Sequence, residues 1–231
     1  MKLKKYHKLV IAADGSAASG KTTGAKIISK KYSLKFISSG LLYRFASYQI
    51  LKNKPKNKIS FLRKKFKNLN YNRLSSFNLH TPEVSEHTSI IAKEKKVRMI
   101  LKSFQKNFSK KYRKVCIEGR DIGSVILPKA DIKFFFKCNL NIAAKRRFKE
   151  LNKKNKKIKL KDVKKSIKIR NFRDISRKHS PLLKSSGAVI VDTGKLRNIS
   201  GMIKKMSKVI EDKIKTKYGN WSTGQKSIKL Y

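Results

Sequence analysis

The run Gly15-Ser16-Ala17-Ala18-Ser19-Gly20-Lys21-Thr22 fits the spacing G-x-x-x-x-G-K-[ST] at every fixed position. Small side chains in such a run let successive backbone N–H groups converge on phosphate oxygens, and the positive end of a following helix adds to the attraction. The spacing assigns Lys21 to the β- and γ-phosphates of a nucleoside triphosphate and the Thr22 hydroxyl to Mg2+. A tight strand-to-helix turn without a ligand is the alternative. It loses weight because an apolar run, Leu9–Ala13, precedes the loop, and a helical repeat with Ala25, Ile27 and Ile28 follows it.

Two further clusters could hold anions. Glu118-Gly119-Arg120-Asp121-Ile122-Gly123 follows the apolar run Val115-Cys116-Ile117. The chain has 13 acidic residues against 61 basic ones, so two carboxylates flanking an arginine at a strand's carboxyl end are a poor match to incidental charge, and ligands of open α/β sheets bind at that end. A surface Arg–Asp pair is the plainer alternative. Arg170, Arg173, Asp174 and Arg177 fall at i, i+3, i+4 and i+7, which lines them up on one helix face. Three arginines to one aspartate leave positive charge uncompensated, for which a multiply charged phosphate is the natural counter-ion. An ion-paired solvent face is the alternative there. Ser38-Ser39-Gly40, with Arg44 one turn into the next helix, is a weaker candidate.

These residues need a scaffold of alternating strands and helices. Strands are expected at Leu9–Ala13, Leu34–Ile37, Val115–Ile117, Ile132–Phe136 and Ala188–Asp192. Helices fall between them, one starting at Thr81-Pro82 with Thr as N-cap and one carrying Val97, Ile100, Leu101 and Phe104 on a stripe. Arg98 lies one residue off that stripe, where it could face a cleft. Further helices run through Ile142 to Leu151, over Val163–Arg177 and through Ile199 to Ile210. The alternation predicts an α/β fold with a five-stranded parallel sheet between layers of helices. The Lys- and Asn-rich stretch 53–72 reads as a surface excursion with one amphipathic helix through Ile59, Leu62 and Phe66. Residues 152–161 read as a mobile solvated loop. Past about Lys213 the sequence reads as a basic, polar tail with a lone Trp221 and no assigned chemistry.

At 231 residues and 39% apolar the chain can bury a substantial core, and no stretch approaches the 18 consecutive apolar residues of a membrane span. Its basic N-terminus leads into the phosphate loop instead of a cleavage site, so no signal peptide and a cytoplasmic location are expected. Cys116 and Cys138 sit in or beside apolar runs and are expected as reduced core residues. His7, His80, His87 and His179 lie in polar surroundings and make no ligand pair.

The formal charge of +48 comes from 49 Lys and 12 Arg. A field of that sign attracts polyanions, so a basic nucleic-acid-binding module with a P-loop has to be weighed. The lysines run through almost every segment, however, which resembles a codon bias more than a patch. The scarcer arginines are the informative cations.

Taken together, the motifs resemble those of the nucleoside monophosphate kinases, and specifically of the bacterial cytidylate kinases, from about Leu9 to Val209. The segments that carry the resemblance are Asp14–Thr22, Ser39-Gly-Leu-Leu-Tyr-Arg44, Val97-Arg98 with Gln105, Gly119-Arg-Asp-Ile-Gly123, Arg170-x-x-Arg173-Asp-x-x-Arg177 and Ser180-Pro-Leu. The resemblance implies a three-layer α/β/α P-loop kinase. Its core would be 1–37, 106–150 and 178–212, its monophosphate-binding lobe 38–105, its lid 151–177 and its tail 213–231. It implies transfer of the γ-phosphoryl of ATP to CMP or dCMP with Mg2+, in a monomer with no specific nucleic acid and no membrane as partner. Another small acceptor on the same fold is the second enzyme reading.

By the resemblance, Gly15 to Thr23 would hold ATP, with Arg146 or Arg147 against the donor nucleotide. Thr22 and Glu118 would lie on the metal side. Ser39, Tyr43 and Arg44 would line the monophosphate pocket, and Ser89, Arg98 and Asp121 would read cytosine. Arg120, Arg44 and Arg177 would hold the acceptor phosphate, and Arg170 and Asp174 would approach the sugar. Lys21, Arg120, Arg173 and Arg177 would support transfer. The chain departs from the family pattern at Ser16 and Ala18 (usually Pro and Gly), Ser38 (an acid), Glu118 (Asp) and Ala143 (a common Arg). The excursion before Thr81 is also shorter and lacks room for a β-hairpin.

Overall fold

The computed structural model describes residues 7–153, 158–196 and 198–219. Its centre is β1, Leu9–Gly15, which is buried at all seven positions. A strand buried on both faces needs neighbours on both edges and helices on both sides, and reads as a continuous apolar run. Strands β2 (Lys35–Ser38), β3 (Lys114–Gly119), β4 (Ile132–Lys137) and β5 (Val189–Asp192) complete a parallel sheet in the order β2-β3-β1-β4-β5. Register sets the chemistry: Asp14 lies opposite Gly119, and Glu118 lies between Ala13 and Ser38.

Alternate residues of β1 serve different cores. Val10 and Ala12 face a cluster with α2 (Ser39–Asn53), α3 (Lys58–Lys67), α4 (Pro82–Ile91) and α5 (Lys95–Lys111). Leu9, Ile11 and Ala13 face one built with Phe134, Phe136, α1 (Lys21–Lys31) and α8 (Ile199–Tyr218). Burying Phe134 or Phe136 contributes about 1.5–3 kcal/mol. A third, small cluster joins Ala17 of the phosphate loop to Ala144 of α6 (Leu140–Asn152) and to Val163 and Ile167 of α7 (Leu160–Ser176).

The helix starts follow the local chemistry. Ser38 caps α2 by accepting the Leu41 N–H, and Thr81 caps α4 by accepting that of Val84, with Pro82 at the first position. The excursion after α2 buries Leu62 and Phe66 through α3 and Leu74 through a short 3-10 helix, Tyr71–Ser76. Among the described residues, 54–94 contains no strand.

Three expectations need correction. The chain past Lys213 is not a loose tail up to Tyr218, because Met206, Ile210, Ile214 and Tyr218 keep an i+4 stripe that holds α8 against the core. His7 is not in polar surroundings: it is buried, with its ring 4.1 Å from that of Tyr218. The Tyr218 hydroxyl donates to the Lys8 carbonyl (2.7 Å) and accepts the Lys8 N–H (2.9 Å), while Lys217 pairs with Asp131 at 2.6 Å. The loop expected at 152–161 is shorter, since α6 reaches Asn152 and α7 starts at Leu160; 154–157 and Trp221 lie outside the described residues. Tyr218→Ala should therefore cost about 1–3 kcal/mol in urea unfolding; no loss would mean that the end of α8 is not docked.

Candidate active site

The phosphate loop runs from the end of β1 into α1. A Cβ on Gly15 would lie 2.5 Å from the Phe136 carbonyl oxygen, so the tight approach of β1 to β4 requires glycine there. Ala18 holds φ at 55°, a left-handed conformation that costs a residue with a Cβ about 1–2 kcal/mol. Its neighbour Ala17 donates its backbone N–H to Asn171 Oδ1 of α7 at 2.8 Å. Lys21 is buried, with Nζ donating to the Ser16 carbonyl at 3.2 Å and standing 4.0 Å from the Glu118 carboxylate. Burial first, then the charge of Arg120, pull its pKa down to about 7. Thr22 is half-buried and Thr23 exposed at the first turn of α1.

The Gly119–Gly123 corner is held from β1. Asp14 is buried at the strand's end and accepts the N–H of Ile122 (2.8 Å) and of Gly123 (2.7 Å). Burial, outweighing those two bonds, raises its pKa to about 6. Asp14 opens the loop motif, yet spacing assigns it no task, because its partners are backbone groups over a hundred residues away. A Cβ on Gly119 would lie 2.8 Å from Ile122 Cδ1 and 3.1 Å from Ser39 Cβ, so the corner also sits tight against the start of α2.

Above this corner the arginines converge. Arg98 is buried on α5, donates to Asp121 and to the Ala92 carbonyl (2.9 Å), and lies 5.6 Å from the Tyr43 ring centroid. Arg177 reaches Asp121 at 3.9 Å and Asp174 at 3.6 Å, and its Nε donates to the Ser180 carbonyl at 2.6 Å. Arg120 Nε donates to Asp174 at 2.7 Å. Although burial works the other way, Arg120, Arg170 and Arg177 hold the Asp174 carboxyl below its usual range. Arg170 is exposed overall, but desolvation of its charge first, then the charges of Arg120, Arg44 and Arg147, against Asp174, bring its pKa down to about 10. Two buried guanidinium nitrogens, Arg98 Nε and Arg177 Nη2, have no hydrogen-bond partner. In a site of this polarity, orphaned cationic donors call for an anion.

The helix-face expectation for Arg170–Arg177 holds only in part. Helix α7 ends at Ser176, and Arg177 stands outside it with φ −66° and ψ 138°. It faces inward because Ser180, at φ 53°, presents its carbonyl to the guanidinium. Arg173 is exposed and turns to α4, donating to Ser89 Oγ at 3.1 Å. Ser89 therefore lies against Arg173 instead of joining Arg98 and Asp121. Arg44 is tied to the Leu79 carbonyl (3.0 Å) and Ser85 Oγ (2.7 Å). Ser39 is buried at the start of α2. Arg147 pairs with Glu150 at 2.9 Å while its charge is felt at Arg44 and Arg170. Arg146 donates to the carbonyl (2.8 Å) and hydroxyl (3.1 Å) of Thr193, whose hydroxyl donates to the Ser19 carbonyl at 3.0 Å.

Two of the departures are one feature. Ser38 and Glu118 are register partners on β2 and β3, and the Ser38 hydroxyl donates to the Glu118 carboxylate. The longer carboxylate is thereby held between a hydroxyl and Lys21. No group of three or more His, Cys, Asp or Glu that could hold a metal occurs among the described residues. Mg2+ brought in by a nucleotide keeps several waters and takes few protein ligands, a demand that the Thr22 hydroxyl and the buried Glu118 carboxylate fit.

A phosphate bound at Lys21 would raise its pKa again and bring a proton with it. MgATP binding at pH 8 should therefore take up a proton, binding at pH 6 should not, and affinity should fall as pH rises above about 7. Calorimetry in buffers of different ionisation enthalpy reads this. Lys21→Met should abolish the uptake; an unchanged uptake would exclude Lys21 as its source. Asp14→Asn, which can accept only one of the two N–H groups, should cost about 1–3 kcal/mol in denaturant unfolding, and no cost would mean that the carboxylate does not hold the corner.

The family model for cytidylate kinase matches residues 11–212. A cytidylate kinase of Clostridium tetani is 36% identical over 219 residues, covering 90% of this chain and 96% of that protein. One from Bartonella tribocorum is 38% identical over 192 residues, covering 81% and 87%. A crystal structure from Thermus thermophilus superposes with a TM-score of 0.50 at 12% identity, over 90% of this chain and 98% of that one, a likeness of fold alone. With the phosphate loop and the convergent arginines at the carboxyl ends of β1 and β3, and relatives matched along most of their length, the chain belongs to the cytidylate kinase family.

Proposed function

We propose that the chain transfers the γ-phosphoryl group of ATP to CMP or dCMP, giving ADP and CDP or dCDP. The observation that carries this reading is Arg177 Nη2, buried without a hydrogen-bond partner among Arg98, Arg120 and Asp121 at the carboxyl end of β3. Phosphoryl transfer asks for alignment and charge neutralisation more than for a covalent nucleophile. Lys21 and the loop amides would hold the donor phosphates; Arg120 and Arg177, with Arg44 at the rim, would hold the acceptor phosphate. Thr22 and Glu118 would hold the Mg2+ that enters with ATP, which would supply charge neutralisation at the donor phosphates. Arg173 would leave Ser89 to meet the transferring group, and Arg170 and Asp174 would meet the sugar. Arg146 or Arg147 would lie beside the donor.

For the base, a carboxylate accepts from the cytosine amino group, whereas uracil presents an acceptor at that position. Asp121, fixed by Arg98 over Tyr43, would make that choice. In this reading 38–105 forms the monophosphate lobe and 151–177 the lid that keeps water from the γ-phosphate. Both phosphate sites lie in one chain, which supports a monomer, and no described helix is long and apolar enough to cross a membrane. We place it in the cytoplasm without a specific nucleic-acid partner, since its lysines are spread over nearly every element.

A coupled ADP-release assay with MgATP should show turnover of CMP and dCMP, with UMP and AMP at least about a hundredfold poorer in kcat/KM. Arg177→Ala should lose about a hundredfold or more, and Arg98→Ala should lose base discrimination. Turnover of AMP or shikimate but not CMP would overturn the assignment. Specific RNA or DNA binding that survives Lys21→Ala, without turnover of any monophosphate, would favour the binding-module reading instead.

A further inference from the structure

The phosphate loop is docked on α7 at two levels. The methyl of Ala17, 5% exposed, packs with Ala144, Val163 and Ile167, and the half-buried Ala18 packs against the same cluster. One bond further along the backbone, the Ala17 N–H is taken by Asn171 Oδ1 at 2.8 Å. A backbone amide has a single hydrogen to give. The loop's other phosphate-directed donor, Lys21 Nζ, is likewise turned onto a protein oxygen, the Ser16 carbonyl.

We infer that Asn171 is a stand-in for a phosphate oxygen at the Ala17 N–H, so that α7 and the donor nucleotide compete for one donor of the loop. Asn171 is thus a positioning residue, not a catalytic one. It holds the base of α7 on the empty side of the contest, and ATP has to displace its amide before all the loop amides can converge on phosphate. The apolar cluster beneath keeps α7 attached meanwhile, so displacement breaks that one hydrogen bond and leaves the helix in place.

The choice of side chain follows from charge. A neutral amide oxygen makes an ordinary hydrogen bond, whereas a phosphate oxygen makes a charge-assisted one, about twice as strong. The ligand therefore wins. A carboxylate at the same position would also be charge-assisted and would lie in the field of Arg170 and Lys21, competing with the phosphate on nearly equal terms.

The inference rests on ATP being the donor, and its test separates the two claims. Calorimetry on the full chain measures Kd for a non-hydrolysable ATP analogue with Mg2+ and, separately, for CMP, in the parent protein, Asn171→Ala and Asn171→Asp. Removing the competitor should tighten the analogue by about threefold to tenfold, and the carboxylate should weaken it by about tenfold. CMP affinity should stay within about twofold in both variants, because the contested N–H belongs to the donor side. Unchanged or weaker analogue binding in Asn171→Ala would overturn the inference and make the bond a support of the loop. If Asn171→Ala proves unfolded by circular dichroism, the near-isosteric Asn171→Asp decides alone: weaker analogue binding with CMP unchanged upholds competition, and equal loss of both ligands refutes it. A parent protein that binds neither nucleotide refutes the functional reading before the variants are compared.

Discussion

Positive charge that the protein does not neutralise, held still in a partly buried corner, is the constraint on which the rest of this structure depends. Arg98, Arg120 and Arg177 share the two carboxylates of Asp121 and Asp174, Arg170 adds its charge beside Asp174, and two buried guanidinium nitrogens have no hydrogen-bond partner. Like charges at such range repel strongly where water is scarce. The corner persists because three of the four guanidinium groups are tied by different elements: Arg98 by the Ala92 carbonyl, Arg177 by the Ser180 carbonyl and Arg120 by Asp174. Helices on both faces of the sheet keep those elements from relaxing. In the proposed function this arrangement would trade stability for a preorganised anion site, a common compromise at catalytic centres.

The donor and acceptor sides are joined through the sheet. One carboxylate, Asp14, spans from the last residues of β1 to the turn that carries Arg120 and Asp121. A second link runs from the Ser38 hydroxyl to Glu118 and on to Lys21. On the far side Thr193 fastens the end of β5 to Ser19, with Arg146 over it. The phosphate loop is thus held by β3, β5 and α7 at once, and its strained Ala18 is tolerated because these contacts over-determine the backbone.

Much of this was legible in the residues. Continuous apolar runs marked β1, β3 and β4, and the loop and the Gly-Arg-Asp corner stood out because phosphate chemistry demands their residue types at fixed spacing. What could not be read depended on partners distant in sequence. Asp14 bonds to backbone groups, which carry no sequence signal. Ser38 and Glu118 look like two unrelated departures until the register of β2 and β3 makes them neighbours. Spacing placed Arg173 and Arg177 on one helix face; the helix stops between them, and they part. The end of α8 carries a signal of its own, since Ile214 and Tyr218 continue the stripe of Met206 and Ile210, but the lysines among them give the segment the composition of a tail.

The central claim, that the arginine corner is built for a phosphate, is tested most directly by comparing the affinities of CMP and cytidine at one ionic strength. Both carry the same base and sugar, so the ratio isolates the phosphate contacts. The account predicts that CMP binds at least about a hundredfold more tightly, with a ratio that shrinks as salt is raised. Equal affinity for the two would contradict it, because the guanidinium nitrogens left without hydrogen bonds would then have no anion to receive.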